Sequence, residues 1–248
     1  MPPPPTQQPP KEIKVLLTGY GSFSRIAENP SFGIVASILS SPVPVTITTI
    51  PGYTVTLVPY PVALRVAYTQ IDSLIPQLWE EAAAAAEGGW DYVLHLGVGL
   101  EGGFKFESRA WERGYRLKDV DGFAPDGAVD MYGVHGSENP AAAKGEGREL
   151  WTGLDTAWIT ALVAGSVVAK EDGLLVDIVR STDPGMYLCG YVFRASLMEA
   201  EKRGDAYRKS VAFLHVPPQG KKYGIETGRE VVLKVVEGMV RDDKGVRE

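Results

Sequence analysis

The only cysteine of the chain, Cys189, closes the stretch Ser181-Thr182-Asp183-Pro184-Gly185-Met186-Tyr187-Leu188-Cys189. A lone thiol cannot form an internal disulfide, which leaves two readings, a small buried hydrophobe or a nucleophile. The turn signal Asp183-Pro184-Gly185 separates the apolar segment LLVDIVRS from an amphipathic run, so Cys189 is expected in the first turn of a helix. Unpaired amides and the helix dipole at that position favour a thiolate, which is the reactive form.

A thiol nucleophile needs a base, and the sequence offers three histidines. His95 lies inside the apolar run YVLHLG and reads as a satisfied core imidazole. His135, in YGVHGS, reads as an exposed loop residue with no second ligand at metal spacing. His215 ends the segment SVAFLH just before Pro217-Pro218, so its ring is expected at the carboxyl end of a strand, where open parallel sheets build their sites. The imidazole in turn needs an orienting group, and Glu107 in KFESRAW is a candidate carboxylate. If the strands at 91–98, 174–180 and 210–216 are parallel neighbours, Glu107, Cys189 and His215 emerge at one edge of the sheet.

A rival motif is Gly97-Val98-Gly99-Leu100-Glu101-Gly102, which satisfies G-x-G-x-x-G directly after a strand. The residues that follow, FKFESRAWERGYRLKDVDG, lack helical periodicity, and Asp121, at the distance of the ribose-binding acid, lies in a loop-like stretch. These glycines are read as a loop with another job, and a nucleotide-dependent oxidoreductase is the less favoured alternative.

The elements that must position these residues follow from periodicity. IKVLLTG reads as a buried strand, and Asn29-Pro30 opens a helix carrying Ile34, Val35, Ile38 and Leu39. VTITTI and YTVTLVPYPV read as two short strands near a sheet edge. A long helical pattern runs from about Leu64 to Gly88-Gly89, kinked or divided at Pro76. WDYVLHLGVG, LLVDIVRS and SVAFLHVPP are further strands; helices are expected over about 155–170, 187–203 and 226–241. Residues 104–149 read as irregular loops with at most a short hairpin. The alternation predicts an α/β protein, a three-layer α/β/α sandwich around a mostly parallel, mixed sheet. Residues 1–11, MPPPPTQQPPK, read as a disordered proline-rich tail, and 12–248 as a single domain.

The 25 Lys and Arg against 31 Asp and Glu, a net charge of −6 with no basic stripe, argue against a nucleic-acid partner. No apolar run is long enough to span a membrane. The amino-terminal residues lack the basic and apolar regions of a signal peptide, and a single cysteine fits a reducing compartment, so the expected location is cytoplasmic.

Four segments in order resemble pyroglutamyl-peptidase I, a cysteine omega-peptidase family. KVLLTGYGSF with ENPS resembles its opening, LHLGVGLEGGFKFE its glycine-rich segment ending in a glutamate, STDPGMYLCGYVF its S-x-D-A-G-x-Y-L-C-N, and FLHVP its F-x-H-[VI]-P. The resemblance implies a catalytic set in which Cys189 is the nucleophile, His215 the base and then acid, and Glu107 the group orienting the ring. Tyr20, Phe23 and Val98 are the implied substrate-binding residues. It further implies peptides with N-terminal pyroglutamate as substrates and no metal or organic cofactor, with homo-oligomerisation left open. The sequence departs from the family pattern at Pro184, at Gly190, in the Gly102-Gly103-Phe104 loop, and in a longer stretch between Asp126 and Leu150; glycine at 190 is expected to loosen the first helical turn. A catalytically weakened binding or regulatory protein on the same fold is the other alternative.

Overall fold

The computed structural model describes residues 9–24, 26–84, 89–127, 145–219 and 222–247. The chain opens with β1 (Lys11–Gly19), whose apolar residues face both sides of a sheet, and Asn29 then caps α1 (Pro30–Leu39) by accepting from the Ser31 amide at 3.1 Å. Strands β2 (Thr46–Ile47) and β3 (Tyr53–Pro59) precede α2 (Tyr68–Ala84), and β4 (Tyr92–Val98) follows it. Next come β5 (Phe104–Glu107), β6 (Arg109–Arg113), β7 (Glu146–Trp151) and α3 (Thr156–Ala164). The chain ends with β8 (Ile178–Ser181), α4 (Leu188–Arg203), a 3-10 turn over Asp205–Ser210, β9 (Val211–Val216) and α5 (Ile225–Lys244).

Seven strands form one sheet in the order β2-β3-β1-β4-β9-β5-β8. β3, β1, β4 and β9 run parallel; β2 is antiparallel at one edge, and β5 is antiparallel to β9. One apolar core packs α1, α3 and α5 on one face through residues such as Ile34, Ile159 and Val235. A second packs α2 and α4 on the other through Ile71, Trp79, Val192 and Phe193. The expected three-layer α/β/α architecture with a mixed, mostly parallel sheet is the observed one.

Several expectations need correction. β1 begins at Lys11, which pairs with Tyr53, so the sheet reaches into the last residue assigned to the tail; Met1 to Gln8 lie outside the described residues. Helix α2 starts at Tyr68 rather than near Leu64, and Leu64 instead bridges Tyr20. Pro76 neither ends nor divides α2. An interior proline costs about 3 kcal/mol, but Ile71, Ile75, Leu78 and Trp79 on either side of it are all buried against α4, and this packing outweighs the lost hydrogen bond. Helix α3 stops at Ala164, where the Gly165 amide closes on the Ala161 carbonyl. In LLVDIVRS only Ile178–Ser181 is strand; Leu175 makes a bridge to Val168 instead.

The largest correction concerns 104–149. It supplies β5, a member of the central sheet, and the β6–β7 antiparallel pair, which corresponds to the expected hairpin. β5 turns back through Gly99–Gly103 and runs antiparallel to β9, and β8 joins β5 in parallel. The strands at 91–98 and 210–216 are therefore parallel neighbours, but the strand ending at Ser181 is not one of them.

Candidate active site

His215 and Glu107 meet because of register. Across the antiparallel β5–β9 pair, Glu107 stands opposite Phe213 and Lys105 opposite His215, so Glu107 and His215 are diagonal neighbours on one sheet face. Their side chains join through His215 Nδ1 and Glu107 Oε1 at 2.8 Å. Glu107 is fully buried and His215 is 8% exposed. The second carboxylate oxygen of Glu107 is also buried, with no hydrogen-bond partner among the described residues. The Phe213 ring stands edge-on to the imidazole at 4.8 Å and fixes its plane.

Cys189 reaches the same face from the other direction. After β8 the chain doubles back over Thr182–Tyr187, with the Ser181 hydroxyl accepting from the Asp183 amide and the Asp183 carboxylate from the Gly185 amide. Pro184 followed by Gly185 at φ +76° is the pairing a type II turn requires. Tyr187 caps α4 without a side-chain hydrogen bond, so Cys189 falls in the first turn, where helix amides have no intrahelical partner. Its sulfur lies against Gly97: a Cβ on Gly97 would sit 2.7 Å from Cys189 Sγ. Gly97 is in turn the β4 partner of His215.

Burial alone would lower the affinity of the His215 ring for a proton. The hydrogen bond and charge of Cys189, followed by those of Glu107, override it and push the pKa up to about 9. The sulfur, the imidazole and the carboxylate thus lie in a row with His215 at its centre.

Beside the sulfur lies a narrow apolar pocket lined by Tyr20, Phe23, Asn29, Val66, Val98, Tyr187, Leu188 and Cys189. Tyr20, Phe23 and Val98 are all in its wall. The Tyr20 hydroxyl donates to the Leu188 carbonyl at 2.8 Å, one residue before the cysteine. Burial, with the charge of Cys189 adding to it, holds the Tyr20 phenol well above its ordinary pKa, so it stays a donor. The Asn29 amide donates to the Gly21 carbonyl at 3.0 Å and pins the loop that carries Tyr20 and Phe23.

Sequence reasoning missed Tyr187 and Val66. Tyr187 faces Phe23 with ring centroids 6.4 Å apart, and its position two residues before the cysteine was the available signal. Val66 was hidden by the assumption that the helix began at Leu64. His95 is the satisfied core residue expected: Nδ1 is 2.7 Å from Thr18 Oγ1 and Nε2 2.7 Å from Ser196 Oγ, and burial lowers its pKa to about 3. His135 lies outside the described residues. Among those residues no group of three His, Cys, Asp or Glu side chains could hold a metal ion, and no helix is long and apolar enough to cross a membrane.

The G-x-G-x-x-G segment leads into β5 rather than a helix, so it lacks the helix terminus that would receive a pyrophosphate. Gly97 and Gly99 have a different reason to be glycine. A Cβ at 97 would collide with Cys189 and Phe213, and one at 99 would stand 3.1 Å from the Cβ of His215.

Pyroglutamyl-peptidase 1 of Rattus norvegicus and that of Homo sapiens are each 27% identical to the chain over 238 residues, spanning 94% of it and 92% of the relative. The pyrrolidone carboxyl peptidase of the hyperthermophile Pyrococcus furiosus shares the fold, with a TM-score of 0.66 at 18% identity over 93% of this chain and 100% of that one. The enzyme of the same name from Fervidobacterium islandicum AW-1 superposes with a TM-score of 0.62 at 20% identity, over 92% and 99%. The chain is thus similar to pyroglutamyl-peptidase 1 over nearly its whole length, and it shares the fold of the pyrrolidone carboxyl peptidases. No family model matches it.

Against the pyroglutamyl-peptidase I pattern, Gly190 is the departure nearest the sulfur, and the structure corrects its reading as a loosened turn. A Cβ there would lie 2.1 Å from the Gly185 carbonyl oxygen. Glycine is what lets the 182–187 turn fold down onto the start of α4.

Proposed function

We propose that the chain is a cysteine-type pyroglutamyl-peptidase that hydrolyses the bond after an N-terminal pyroglutamyl residue. The observation that carries the reading is the row Cys189, His215, Glu107 beside a small apolar pocket with aromatic walls. A lactam has no free amine, so a charged pocket would contribute nothing to binding it, whereas aromatic faces and backbone groups can pack the ring and pair with its N–H and C=O.

In this mechanism the Cys189 thiolate attacks the pyroglutamyl carbonyl carbon, forming a C–S bond while the carbonyl electron pair moves onto oxygen. Amides in the first turn of α4 stabilise that oxyanion. Collapse of the intermediate breaks the C–N bond, and His215 Nε2 gives its proton to the leaving amine. His215 then takes a proton from water as the water attacks the thioester, releasing pyroglutamate and restoring the thiolate and imidazolium. Glu107 holds Nδ1 throughout, fixing the tautomer and stabilising the charged ring. Residues 12–248 act as one unit in this reading, and a reducing, cytoplasmic setting keeps the thiol available.

The test is release of a fluorescent amine from a pyroglutamyl amide under reducing conditions. The wild type should turn it over, Cys189→Ala should not, and a prolyl amide, which lacks the lactam carbonyl, should not be cleaved. A folded wild type that leaves the pyroglutamyl amide intact would refute the proposal and favour a binding role on this fold.

A further inference from the structure

In the pyroglutamyl-peptidase reading the lactam packs among the residues of the narrow pocket beside Cys189, and the remainder of a peptide substrate lies on the surface outside it. One feature of that surface is built rather than incidental. The segment 115–127 is pinned at several points: the Asp119 carboxylate accepts from the amides of Tyr68, Asp121 and Phe123, each at 2.9 Å. Asp126 accepts from the Gly114 and Tyr115 amides, and Arg65 pairs with Asp121. Yet the loop presents Val120 at 46% and Phe123 at 44% exposure.

The loop that carries them is joined to the pocket wall by a backbone hydrogen bond and by ring contacts through the buried Tyr68. The Val120 amide donates to the carbonyl of Val66, a pocket residue. The Phe123 ring stands edge-on to Tyr68 at 6.4 Å, and Tyr68 stands edge-on to the pocket residue Tyr187 at 6.1 Å. Two such steps span about the reach of the first two residues of an extended chain, at roughly 3.3–3.6 Å per residue plus a side chain. A rigid loop that holds apolar groups in water forgoes their burial until a ligand supplies it.

We infer that Val120 and Phe123 form a leaving-side subsite that takes a large apolar or aromatic side chain from the first two residues after pyroglutamate. The inference rests on the pyroglutamyl-peptidase reading. Such a contact favours phenylalanine over glycine in the leaving peptide by about tenfold in kcat/KM, equivalent to ~1.4 kcal/mol.

The experiment compares pyroglutamyl-glycyl-glycinamide with pyroglutamyl-phenylalanyl-glycinamide and pyroglutamyl-glycyl-phenylalaninamide on the wild type, on Val120→Ser/Phe123→Ser and on Phe123→Leu. The expected result is faster cleavage of at least one phenylalanine peptide by the wild type. The preference should collapse towards one in the double serine variant, with the glycine peptide unchanged, and survive in Phe123→Leu. Equal kcat/KM for all three peptides on the wild type, or a preference intact in the double variant, would overturn the subsite. Failure of the wild type to cleave any of them would instead overturn the pyroglutamyl reading beneath it.

Discussion

Gly97→Ala tests whether the glycine-rich segment exists to admit sulfur. The new Cβ would stand 2.7 Å from Cys189 Sγ and 2.8 Å from Phe213 Cζ, where ordinary carbon contacts lie at about 3.5–4.0 Å. About 1 Å of displacement must therefore be found, and neither neighbour can move freely. Phe213 is fully buried within β9, and Cys189 is held by the first turn of α4. Alanine in place of glycine inside a strand would otherwise be favourable by roughly 0.5–1 kcal/mol; overpacking of this kind costs about 1–3 kcal/mol and so decides the sign. The larger effect falls on catalysis, because pushing the sulfur by about 1 Å from its line with His215 lowers the rate on the order of 100-fold. Fluorescent amine release gives kcat/KM, iodoacetamide alkylation reports the thiol directly, and thermal unfolding reports the modest loss of stability. A Gly97→Ala protein with wild-type kcat/KM would refute the steric account, whatever its melting temperature.

Other outcomes follow from the same geometry. Because the folded state raises the His215 pKa to about 9, it binds that proton more tightly than the unfolded chain. The stabilisation is complete below about pH 6.5 and is lost as pH rises towards 9; Cys189→Ala should flatten the fall in melting temperature across that window, and an unchanged slope would remove Cys189 as its cause. His95, with its pKa lowered to about 3, has the opposite sign: stability present above about pH 6.5 is lost on acidification, and His95→Gln should show a shallower acid decline in chemical denaturation. Tyr20→Phe removes the bond to the Leu188 carbonyl, costing about 0.5–1.5 kcal/mol in denaturant unfolding, with kcat lowered more than KM is raised. Glu107→Gln can still accept from Nδ1 but carries no charge, so activity should fall without vanishing and the His215 pKa should drop; a rate equal to wild type would take Glu107 out of the mechanism.

The site was legible where local chemistry and position coincide. The Asp183-Pro184-Gly185 turn did place Cys189 at a helix start, and the double proline after SVAFLH did mark His215 as a strand-end residue. What could not be read was the direction of β5 and β8. FKFE is four residues long, and its period-two pattern, with Phe104 and Phe106 on one face and Glu107 on the other, was masked by the polar surroundings. Pro76 misled for a related reason: the packing of α2 against α4 lies outside the window in which a proline is judged.

The route by which the three residues converge differs from the one the sequence suggested, and the difference explains how the arrangement is held. Three parallel neighbours would place Glu107 and His215 at the ends of separate strands, with their mutual distance set by loops. The antiparallel β5–β9 pair instead makes them diagonal partners in a fixed register, so the 2.8 Å contact is set by the sheet itself. Only Cys189 then depends on a loop, and its placement is limited from below by Gly97, which admits the sulfur, and from behind by Gly190, which lets the turn close over the helix. A glycine-rich segment after a strand therefore signals that something must approach the backbone closely. In a dinucleotide fold that partner is a phosphate; here β5 takes the place of the helix that would bind it, and the partner is the sulfur.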